Sequence, residues 1–436
     1  MLRIIYTLLL IIVAPLYLYP LLKKTKGKPT IGHRWKEYFG ITSPCISNHK
    51  PIWIHAVSVG ETIAATPIIK KLKEEHPNRI ILLTTTTSTG AQQAEKIIAL
   101  VEHRYMPLDF PFAIKWFLRS IKPECLLIME TELWPNTLHI VAKANIPITV
   151  INARLSERSF LRYKRIPPLF QLFAKNLSQV LCQHQDDADR FIKLGLEEQK
   201  VKLTGSVKFD IQVNEQTLKK GKDIRALIGK DRPVWIAAST HQGEDEQVFD
   251  AHQILLTSFP DALLITVPRH PERFQSVLSL SSSLGFKTVT RTSQLEITPE
   301  TDVYLADTMG EMLLLLQASD ICFMGGSLIG DKVGGHNLLE PAALGKALII
   351  GPSYFNFFDI TNQLSNANAV IFCSDSTDLS TKLIELFSDE DRRRSMGNNA
   401  TNVVNNNRGA IDKTITYIGS HLSSHLSHES KSAPYS

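Results

Sequence analysis

The stretch Gly334-Gly335-His336-Asn337-Leu338-Leu339-Glu340-Pro341 lies between two apolar runs, at residues 321–324 and 347–350. This order predicts a strand, a glycine turn, a short helix and a second strand of an α/β fold. Two glycines let the backbone approach a ligand, and the start of a helix offers free N–H groups to an anion. Asn337 and Glu340 share one helix face, where a carboxylate can accept hydrogen bonds from two vicinal hydroxyls, as on a ribose. A buried helix cap with a structural glutamate explains the stretch about equally well.

Short apolar runs alternate with amphipathic segments over most of the chain. Predicted strands occupy residues 52–57, 80–84, 125–129, 148–151, 180–182, 234–237, 263–267, 303–305, 321–324, 347–350 and 370–372. The runs are mostly apolar and do not alternate cleanly with polar residues, which is typical of buried parallel strands. Helices are expected between them, for example at 61–75 and 92–100. The pattern predicts two Rossmann-like domains facing a cleft, where ligands of open α/β sheets bind.

The length of 436 residues is too great for one ordinary core. We expect a membrane-anchor helix with a basic flank at 1–28, an N-terminal domain at 29–210, a linker at 211–231, a C-terminal domain at 232–421 and a disordered tail at 422–436. The linker is predicted from a polar stretch without a strand-like run. The tail is predicted from its content of serine and histidine.

Residues 4–22 carry no charge and are mostly apolar, so the segment is just long enough to cross a hydrocarbon core of about 30 Å. Pro15 and Pro20 favour a shallow or kinked insertion. A basic cluster follows at once, formed by Lys23, Lys24, Lys26 and Lys28. Positive charge on this side predicts that the rest of the chain is cytoplasmic. We rank a membrane anchor first, a buried first helix second and a cleaved signal peptide third, because no small-residue cleavage site is evident.

The composition predicts neither a metal site nor a disulfide framework. The formal net charge is +5, and none of the five cysteines forms a C-x-x-C pair. Four of them lie in apolar runs, as core cysteines do in a reducing compartment. Asp187 and Asp189 match a D-x-D metal-binding pattern, but they lie in a predicted surface helix, so we interpret the match as chance. We expect no metal and no cofactor.

Three groups at predicted strand ends in the first half could carry chemistry. In Ser58-Val59-Gly60-Glu61, the glutamate falls in the first turn of a helix, whose dipole stabilises the carboxylate, so a base there needs partial burial to regain proton affinity. Glu130 and Glu132 follow an apolar strand, and Lys208 could hold a phosphate or a carboxylate as a point charge. The plain alternatives are a helix-stabilising glutamate, solvated loop carboxylates and a hinge lysine.

Three polar turns follow predicted strands in the second half. They are Ser239-Thr240-His241-Gln242-Gly243-Glu244, Pro268-Arg269-His270-Pro271 and Asp307-Thr308-Met309-Gly310-Glu311. Since the carboxyl ends of parallel strands meet at one sheet edge, we expect these turns to lie together. A rigid turn with arginine and histidine is well suited to phosphate. Ordinary loop chemistry is the alternative for each turn.

The segment 152–168 combines basic and aromatic residues. Its basic residues are Arg154, Arg158, Arg162, Lys164 and Arg165. Such a segment predicts a surface for a membrane or for an acidic substrate. A solvated basic loop is the alternative. Nucleic acid is not expected, because it would not explain the apolar N-terminus.

Together these features resemble the 3-deoxy-D-manno-octulosonic acid (Kdo) transferases of lipopolysaccharide synthesis. The resemblance is carried, in the order of the family, by residues 53–61, 84–90, 129–135, 205–210, 268–271, 307–311 and 334–341. Leu338 departs from the family pattern, which usually has proline after the asparagine. We expect only a slight change at the start of the helix.

The resemblance implies a GT-B fold and an inverting, metal-independent transfer of Kdo from CMP-Kdo to a lipid A precursor, lipid IVA. It implies that the reaction takes place at the inner face of the inner membrane, with the acceptor in the N-terminal domain and the nucleotide sugar in the C-terminal one. By this similarity Glu61 looks like the general base, and Glu130 and Lys208 look like groups that stabilise the transition state.

Residues 268–269, 309–311 and 337–340 look like the CMP site by the same similarity. The full set expected to bind the donor is Ser239, Thr240, His241, Pro268, Arg269, His270, Met309, Gly310, Glu311, Gly335, His336, Asn337, Leu338, Leu339 and Glu340. The alternatives are another membrane-associated GT-B transferase and a non-hydrolysing nucleotide-sugar epimerase, which needs no acceptor. A membrane-bound scaffold that only binds nucleotide sugars would not need Glu61.

Overall fold

The computed structural model describes residues 2–22, 32–46, 49–211 and 213–422. The chain divides into two compact units. The first contains residues up to Asp210 together with the C-terminal segment from Arg408, and the second contains Ile211–Asn407. Each unit is built around its own parallel sheet, so the prediction of an α/β fold is confirmed.

In the first unit, seven of the described segments form a parallel sheet with the strand order β3-β2-β1-β4-β5-β6-β7. The strands are β1 (Ile52–His55), β2 (Ile81–Thr85), β3 (Glu102–Tyr105), β4 (Cys125–Met129), β5 (Ile148–Ala153), β6 (Gln179–Cys182) and β7 (Val201–Leu203). The helices are α1 (Leu2–Leu22), α2 (Val59–Glu75), α3 (Ser88–Glu95), α4 (Pro111–Ile121), α5 (Pro135–Lys143), α6 (Glu157–Lys164), α7 (Pro167–Ala174) and α8 (Gln185–Lys193). Central strands β1 and β4 are buried along their whole length, which explains their continuous apolar sequence.

The second unit repeats this plan, with seven described strands in the order β10-β11-β9-β8-β12-β13-β14. The strands are β8 (Val234–Thr240), β9 (Leu263–Pro268), β10 (Thr288–Thr290), β11 (Val303–Leu305), β12 (Ile321–Met324), β13 (Ala347–Ile350) and β14 (Val370–Phe372). The helices are α9 (Glu215–Ile228), α10 (Asp245–Ser258), α11 (Phe274–Ser283), α12 (Met312–Ala318), α13 (Leu339–Ala343), α14 (Phe358–Asn366), α15 (Ser376–Ser388) and α16 (Glu390–Asn407). Strand order reverses beside β8, and ligands of such sheets bind where this happens.

Residues 211–231 were expected to be a linker, but most of them form α9. Helix α9 packs on α12 within the second unit. A Cβ at Gly221 would lie 2.5 Å from the Cβ of Gln317, so only glycine allows the two helices to come so close. Ile224 and Ile228 are buried on the same face. The polar composition of the segment reflects the exposed face of an amphipathic helix.

The last helix, α17 (Ala410–Leu422), belongs to the first unit, although residues up to 421 were expected in the C-terminal domain. It packs against α2, and Ile411, Ile415 and Ile418 are buried in the core beneath it. The carboxylate of Asp210 accepts hydrogen bonds from the backbone N–H groups of Gly409 and Ile411, both at 2.6 Å. The chain therefore returns to the first sheet at its end, which no local sequence signal indicates.

Helix α1 is also held by the first unit. The Tyr6 hydroxyl is hydrogen-bonded to the buried carboxylate of Asp109, and Asn136 donates to the Thr7 hydroxyl at 2.9 Å. Leu10 and Ala14 pack on a buried cluster that includes Tyr38 and Phe110. Within the described residues, no helix combines the length and the apolar character that crossing a membrane requires. The basic flank at 23–28 and the tail from residue 423 lie outside the described residues.

Candidate active site

Glu61 lies in the first turn of α2, just after the carboxyl end of β1. Ser58 caps this helix, and its hydroxyl accepts a hydrogen bond from the Glu61 N–H at 3.4 Å. The Glu61 carboxylate in turn accepts from the backbone N–H of Val57 at 2.8 Å and from the Ser58 hydroxyl at 3.2 Å. Reciprocal bonds of this kind stabilise a helix start. The carboxylate is therefore held in one place whatever else it does.

The environment of Glu61 favours a base as well as a cap. Burial raises the pKa of its carboxyl to about 7, and the negative charges of Glu130 and Glu132 act in the same direction. The hydrogen bonds from Val57 and Ser58 oppose the shift. A carboxyl with a pKa near 7 can accept a proton at neutral pH far better than an ordinary glutamate. The structure thus supplies the partial burial that the sequence required for a base at a helix start.

Glu130 follows the last residue of β4 and adopts a left-handed backbone conformation with φ 56°. Its N–H donates to the carbonyl of Ile151 at 3.0 Å, so the sheet pairing continues one residue beyond the strand. Left-handed φ values are costly for residues other than glycine and concentrate at functional sites. The Glu132 carboxylate accepts a hydrogen bond from the indole N–H of Trp134 at 3.3 Å, which gives it a local structural role.

Lys208 lies in a short 3-10 turn, Val207–Phe209, and its side chain is exposed while both neighbours are buried. The turn contacts α2, the helix that begins beside Glu61. The first unit therefore holds Glu61, Glu130 and Lys208 on connections that follow β1, β4 and β7. These strands are parallel, so the three connections lie at the same edge of the sheet.

In the second unit, three histidines from three loops meet at the carboxyl edge of the sheet. His241 follows β8, His270 follows β9 and His336 lies in the loop between β12 and α13. The Nε2 atoms of His241 and His336 are 2.8 Å apart, and the two rings are stacked at 5.0 Å. The His270 ring stands edge-on to His241 at 5.4 Å. These contacts bring together two of the three polar turns that were expected to lie together, those at 239–244 and 268–271, and add His336 from the 334–341 stretch.

Burial favours the neutral state of two of these histidines, His336 and His241. Burial lowers the pKa of His336 to about 4, and the nearby charges of His241, Arg269 and His270 lower it further. The pKa of His241 is also lowered, again mainly by burial. Arg269 is exposed at the end of β9, and its N–H donates to the carbonyl of Thr240 at 3.0 Å. Neutral N–H groups with an exposed guanidinium form a surface suited to a phosphate.

Glu244 organises this edge, and the sequence did not single it out. It is fully buried, and its carboxylate accepts hydrogen bonds from the backbone N–H groups of Gly326, Ser327 and Leu328 at 2.7–3.0 Å. It also accepts from the backbone N–H of His241 at 3.2 Å. It therefore joins the loop after β8 to the loop after β12. The sequence showed it only as the last residue of a polar turn, and its burial and hydrogen bonds in the fold identify it as an anchor.

Gly334 and Gly335 have left-handed φ values of 78° and 75°. A Cβ at Gly334 would lie 2.5 Å from the ring of Phe355, so glycine is required there. The expected helix begins only at Leu339 and is five residues long. Its start is irregular, with the Asn337 side chain accepting from the N–H of Leu339 at 3.2 Å. Leu338 and Leu339 are fully buried and contribute packing rather than polar groups.

Glu340 and Glu311, both expected in the donor site, have different environments. Burial alone raises the pKa of Glu340, and no hydrogen-bond partner for its carboxylate is found in the described part of the chain. Glu311 is bound by Arg291 through two contacts of 3.1 Å and by the Thr308 hydroxyl at 2.5 Å. The Arg291 hydrogen bonds lower the pKa of Glu311. Glu340 is therefore available to a ligand, whereas Glu311 is already engaged.

The remaining expected donor-site residues line the same edge. Ser239 has φ 61° at an irregularity in the pairing of β8 with β9. The Thr240 hydroxyl donates to Asp245 at 2.6 Å, and Pro268 is the buried last residue of β9. Met309 and Gly310 are exposed just before α12.

The basic segment of the first unit forms α6 and its ends. An open cavity of about 750 Å³ lies beside it, lined by Glu157, Arg158, Ser159, Leu161, Arg162 and Arg165. Arg158, Arg162 and Arg165 are four and three residues apart, so they lie on one helix face. Arg154 lies on the connection before the helix, and Lys164 stands over the ring of Phe160 at 5.9 Å.

In the described residues there is no group of three or more histidine, cysteine or acidic side chains that could hold a metal ion.

Comparison with known proteins connects this geometry to one family. Residues 33–211 match the family described as 3-deoxy-D-manno-octulosonic-acid transferase, and residues 285–403 match glycosyl transferases group 1. The chain is 38% identical to 3-deoxy-D-manno-octulosonic acid transferase of Haemophilus influenzae, over 96% of this chain and 99% of that protein. It is 33% identical to the transferase of the same name from Bordetella pertussis, over 84% of this chain and 86% of that protein.

A solved structure shows the same fold at low identity. UDP-GlcNAc 2-epimerase from Neisseria meningitidis, bound to UDP-GlcNAc, matches 85% of this chain and 100% of its own, with a TM-score of 0.57 and 14% identity. This likeness concerns the fold alone, and it identifies the two-sheet architecture as GT-B-like. The much closer sequence relationships exclude the epimerase alternative and confirm the resemblance found in the sequence: the chain belongs to the 3-deoxy-D-manno-octulosonic acid transferase family of glycosyltransferases.

Proposed function

We propose that this chain transfers Kdo from CMP-Kdo to a lipid A precursor, lipid IVA, with inversion at the Kdo anomeric carbon and Glu61 as the general base. The observation that carries the proposal is the state of Glu61, whose pKa is raised to about 7 by burial while two hydrogen bonds fix its carboxylate. Family membership supports the sugar and the pathway.

In the proposed reaction, a hydroxyl oxygen of the acceptor attacks the Kdo carbon that carries the CMP phosphate. Glu61 takes the hydroxyl proton as the new C–O bond forms. The bond from that carbon to the phosphate oxygen breaks, and CMP leaves with the electron pair. We assign Lys208 to the negative charge that develops in this step, and Glu130 to the positive charge that develops on the Kdo ring.

The donor is proposed to bind at the carboxyl edge of the second sheet. Arg269, His270 and the His241–His336 pair would receive the phosphate, because they offer a guanidinium and N–H donors with few competing carboxylates. Glu340 would accept from the ribose hydroxyls, as its carboxylate is half-buried and has burial as the sole cause of its raised pKa. We do not assign Glu311 to a direct contact with the donor, because its carboxylate already accepts hydrogen bonds from Arg291 and Thr308.

The acceptor is proposed to bind to the first unit, with its phosphates on the basic face of α6. The three arginines beside the 750 Å³ cavity place guanidinium groups where a phosphorylated sugar could enter. Phosphate and guanidinium form strong, bidentate hydrogen bonds. The guanidinium of Arg162 also lies over the ring of Tyr163 at 5.8 Å, a cation–π contact that favours this position of its side chain.

Attachment to the inner face of the inner membrane is proposed through the outer face of α1. That face is apolar and exposed, with Ile12 at 72% and Leu16 at 76% of their accessible surface. Phe112 and Trp116 on α4, which packs beside the same buried cluster, are exposed as well. An apolar helix face together with exposed aromatic side chains is typical of attachment to the surface of a bilayer.

A product assay tests the reaction. The enzyme is incubated with CMP-Kdo and a tetraacylated lipid A precursor in detergent, with and without EDTA, and products are analysed by mass spectrometry. We expect CMP release and an acceptor that is heavier by one or more Kdo residues, unchanged by EDTA. Conversion of CMP-Kdo without transfer to the acceptor would contradict the proposal, as would a rate lost on chelation and restored by magnesium or manganese.

Vesicle binding tests the membrane attachment. Ile12→Lys/Leu16→Lys should weaken binding to zwitterionic vesicles, because it places two charges on the apolar outer face of α1 and a bilayer without net charge does not attract lysine. Leu227→Lys is the matched control, since Leu227 is 75% exposed in the second unit, far along the chain from α1. Equal vesicle binding by the double variant and the control would contradict attachment through α1.

A further inference from the structure

Asn152 lies where β5 passes next to Glu130, and its backbone is unusual. It has φ 51° and is completely buried. Met129 is paired with Ile151, so Glu130 and Asn152 are the next residues of two adjacent strands. Both have left-handed backbone conformations. Two such residues side by side at a strand end indicate a site where the fold tolerates local strain.

Asn152 links β5 to two other segments of the first unit, once through its side chain and once through its backbone. Its Oδ1 accepts a hydrogen bond from the N–H of Val207 at 3.2 Å, which fixes the turn that carries Lys208. Its backbone carbonyl accepts from the Gln183 amide at 2.8 Å. The Lys208 turn is therefore tied by one carboxamide to the strand beside Glu130.

The amide nitrogen of the Asn152 side chain is in an energetically unfavourable environment. Asn152 Nδ2 is buried and makes no hydrogen bond to any of the described residues. An unsatisfied buried donor costs roughly 1–3 kcal/mol. A residue selected for stability alone would avoid both this loss and the left-handed backbone.

We propose that Asn152 is a positioning residue for Kdo transfer, which holds the Lys208 turn in a fixed place relative to Glu130. The inference rests on the proposed function of Lys208. Asparagine suits the position because it accepts a left-handed φ more readily than most residues and because its short side chain provides an acceptor for the Val207 N–H. Without that acceptor, the backbone of the turn from which the Lys208 side chain extends loses one of its hydrogen bonds.

The test compares kcat and KM of Asn152→Gly, Lys208→Ala and the double variant. Glycine adopts φ 51° without strain, so Asn152→Gly removes the carboxamide and spares the backbone. Asn145→Gly is the matched control, because Asn145 is an exposed asparagine of the same unit with φ 57°. Thermal unfolding of each variant establishes that it is folded at the assay temperature.

We expect Asn152→Gly to lower kcat about 10- to 100-fold with a nearly unchanged KM for CMP-Kdo, since a catalytic group displaced by about 1 Å can cost as much. In the Lys208→Ala background, the same change should cost less than about twofold, because the two residues act together. Asn152→Asp retains an acceptor oxygen and should be faster than Asn152→Gly. Asn145→Gly should match the wild type.

Two results would overturn the inference. If Lys208→Ala is slow but Asn152→Gly still multiplies the loss in the double variant, Asn152 does not act through Lys208, and the proposed function is unaffected. If Lys208→Ala has the wild-type rate, the role of Lys208 under the proposed function fails, and the positioning role of Asn152 fails with it.

Discussion

In the first unit, the adjacent strands β1 and β4 lead to Glu61 and Glu130, whereas in the second unit the adjacent strands β8 and β9 lead to His241 and Arg269. Both units place these groups at the carboxyl edge of a parallel sheet with seven described strands. The first edge carries carboxylates and the second carries nitrogen bases and a guanidinium. The carboxyl edges of two sheets built on the same plan thus carry different functional groups.

Burial has the same physical effect at the two edges, although it moves the pKa in opposite directions. It raises the pKa of Glu61 to about 7 and lowers that of His336 to about 4. In both cases the uncharged form is favoured, because a partly desolvated charge is costly. The first edge gains a base that is effective near neutral pH, and the second gains neutral N–H donors. The difference between the units therefore lies in side chains and not in the backbone plan.

The largest effect should follow removal of the base on the first edge. Glu61→Gln should lower the transfer rate roughly 10²–10⁴-fold, the usual contribution of general-base catalysis, while CMP-Kdo binding is nearly unchanged. Rates are measured by product formation and binding by calorimetry. Glu75→Gln, at the exposed end of the same helix, is the control and should be nearly neutral. A Glu61→Gln enzyme with more than about a tenth of the wild-type rate would remove Glu61 from this role.

A smaller effect should separate the two glutamates of the second edge. Glu340→Ala should weaken CMP binding by roughly 1.5–3 kcal/mol, the value of a hydrogen bond to a charged group. Glu311→Gln should weaken it much less, because the Glu311 carboxylate is bound by Arg291 and Thr308. Calorimetry with CMP measures both. Unchanged affinity in Glu340→Ala, or a larger loss in Glu311→Gln, would reverse the assignment.

The smallest effect concerns the pH dependence set by the first edge. The rate should fall as pH drops below about 7, because Glu61 becomes protonated and can no longer act as a base. Glu130→Gln removes a negative charge that raises this pKa, so the acid limb should move to lower pH. Profiles of kcat/KM measure the shift. A limb that stays in place, or moves to higher pH, would show that Glu130 does not act on Glu61.

The same pKa shift has a consequence for stability. The pKa of Glu61 is about 4.5 in the unfolded chain and about 7 in the fold, so the folded state binds more protons between these pH values. Its contribution to the free energy of unfolding therefore falls as pH rises from about 4.5 to 7. Glu61→Gln should lack this pH dependence of the free energy of unfolding. Denaturant unfolding of the wild type and the variant at pH 5 and pH 8 measures the difference.

Interior strands could be predicted from the sequence, whereas edge strands were mostly missed. The apolar runs at 125–129 and 321–324 coincide with β4 and β12, which lie inside their sheets. The missed strands β3, β7 and β10 are all at sheet edges. Glu102–Tyr105 shows why: only every second residue of β3 is buried, so no apolar run is needed there.

Helix α3 begins earlier than expected, because the Thr87 side chain caps it by accepting a hydrogen bond from the N–H of Gly90 at 3.0 Å.

The sequence by itself determined the class of fold, the polar turns at strand ends and the family, because each rests on residues close together in the chain. Only the tertiary structure decided which of these side chains are free. It partly buried Glu61 and left the Glu340 carboxylate without a hydrogen-bond partner among the described residues, while it engaged Glu311 and made Glu244 an anchor for two loops. It also returned α17 to the first unit through Asp210. Burial and hydrogen-bond partners depend on residues distant in sequence, and a local pattern contains no information about them.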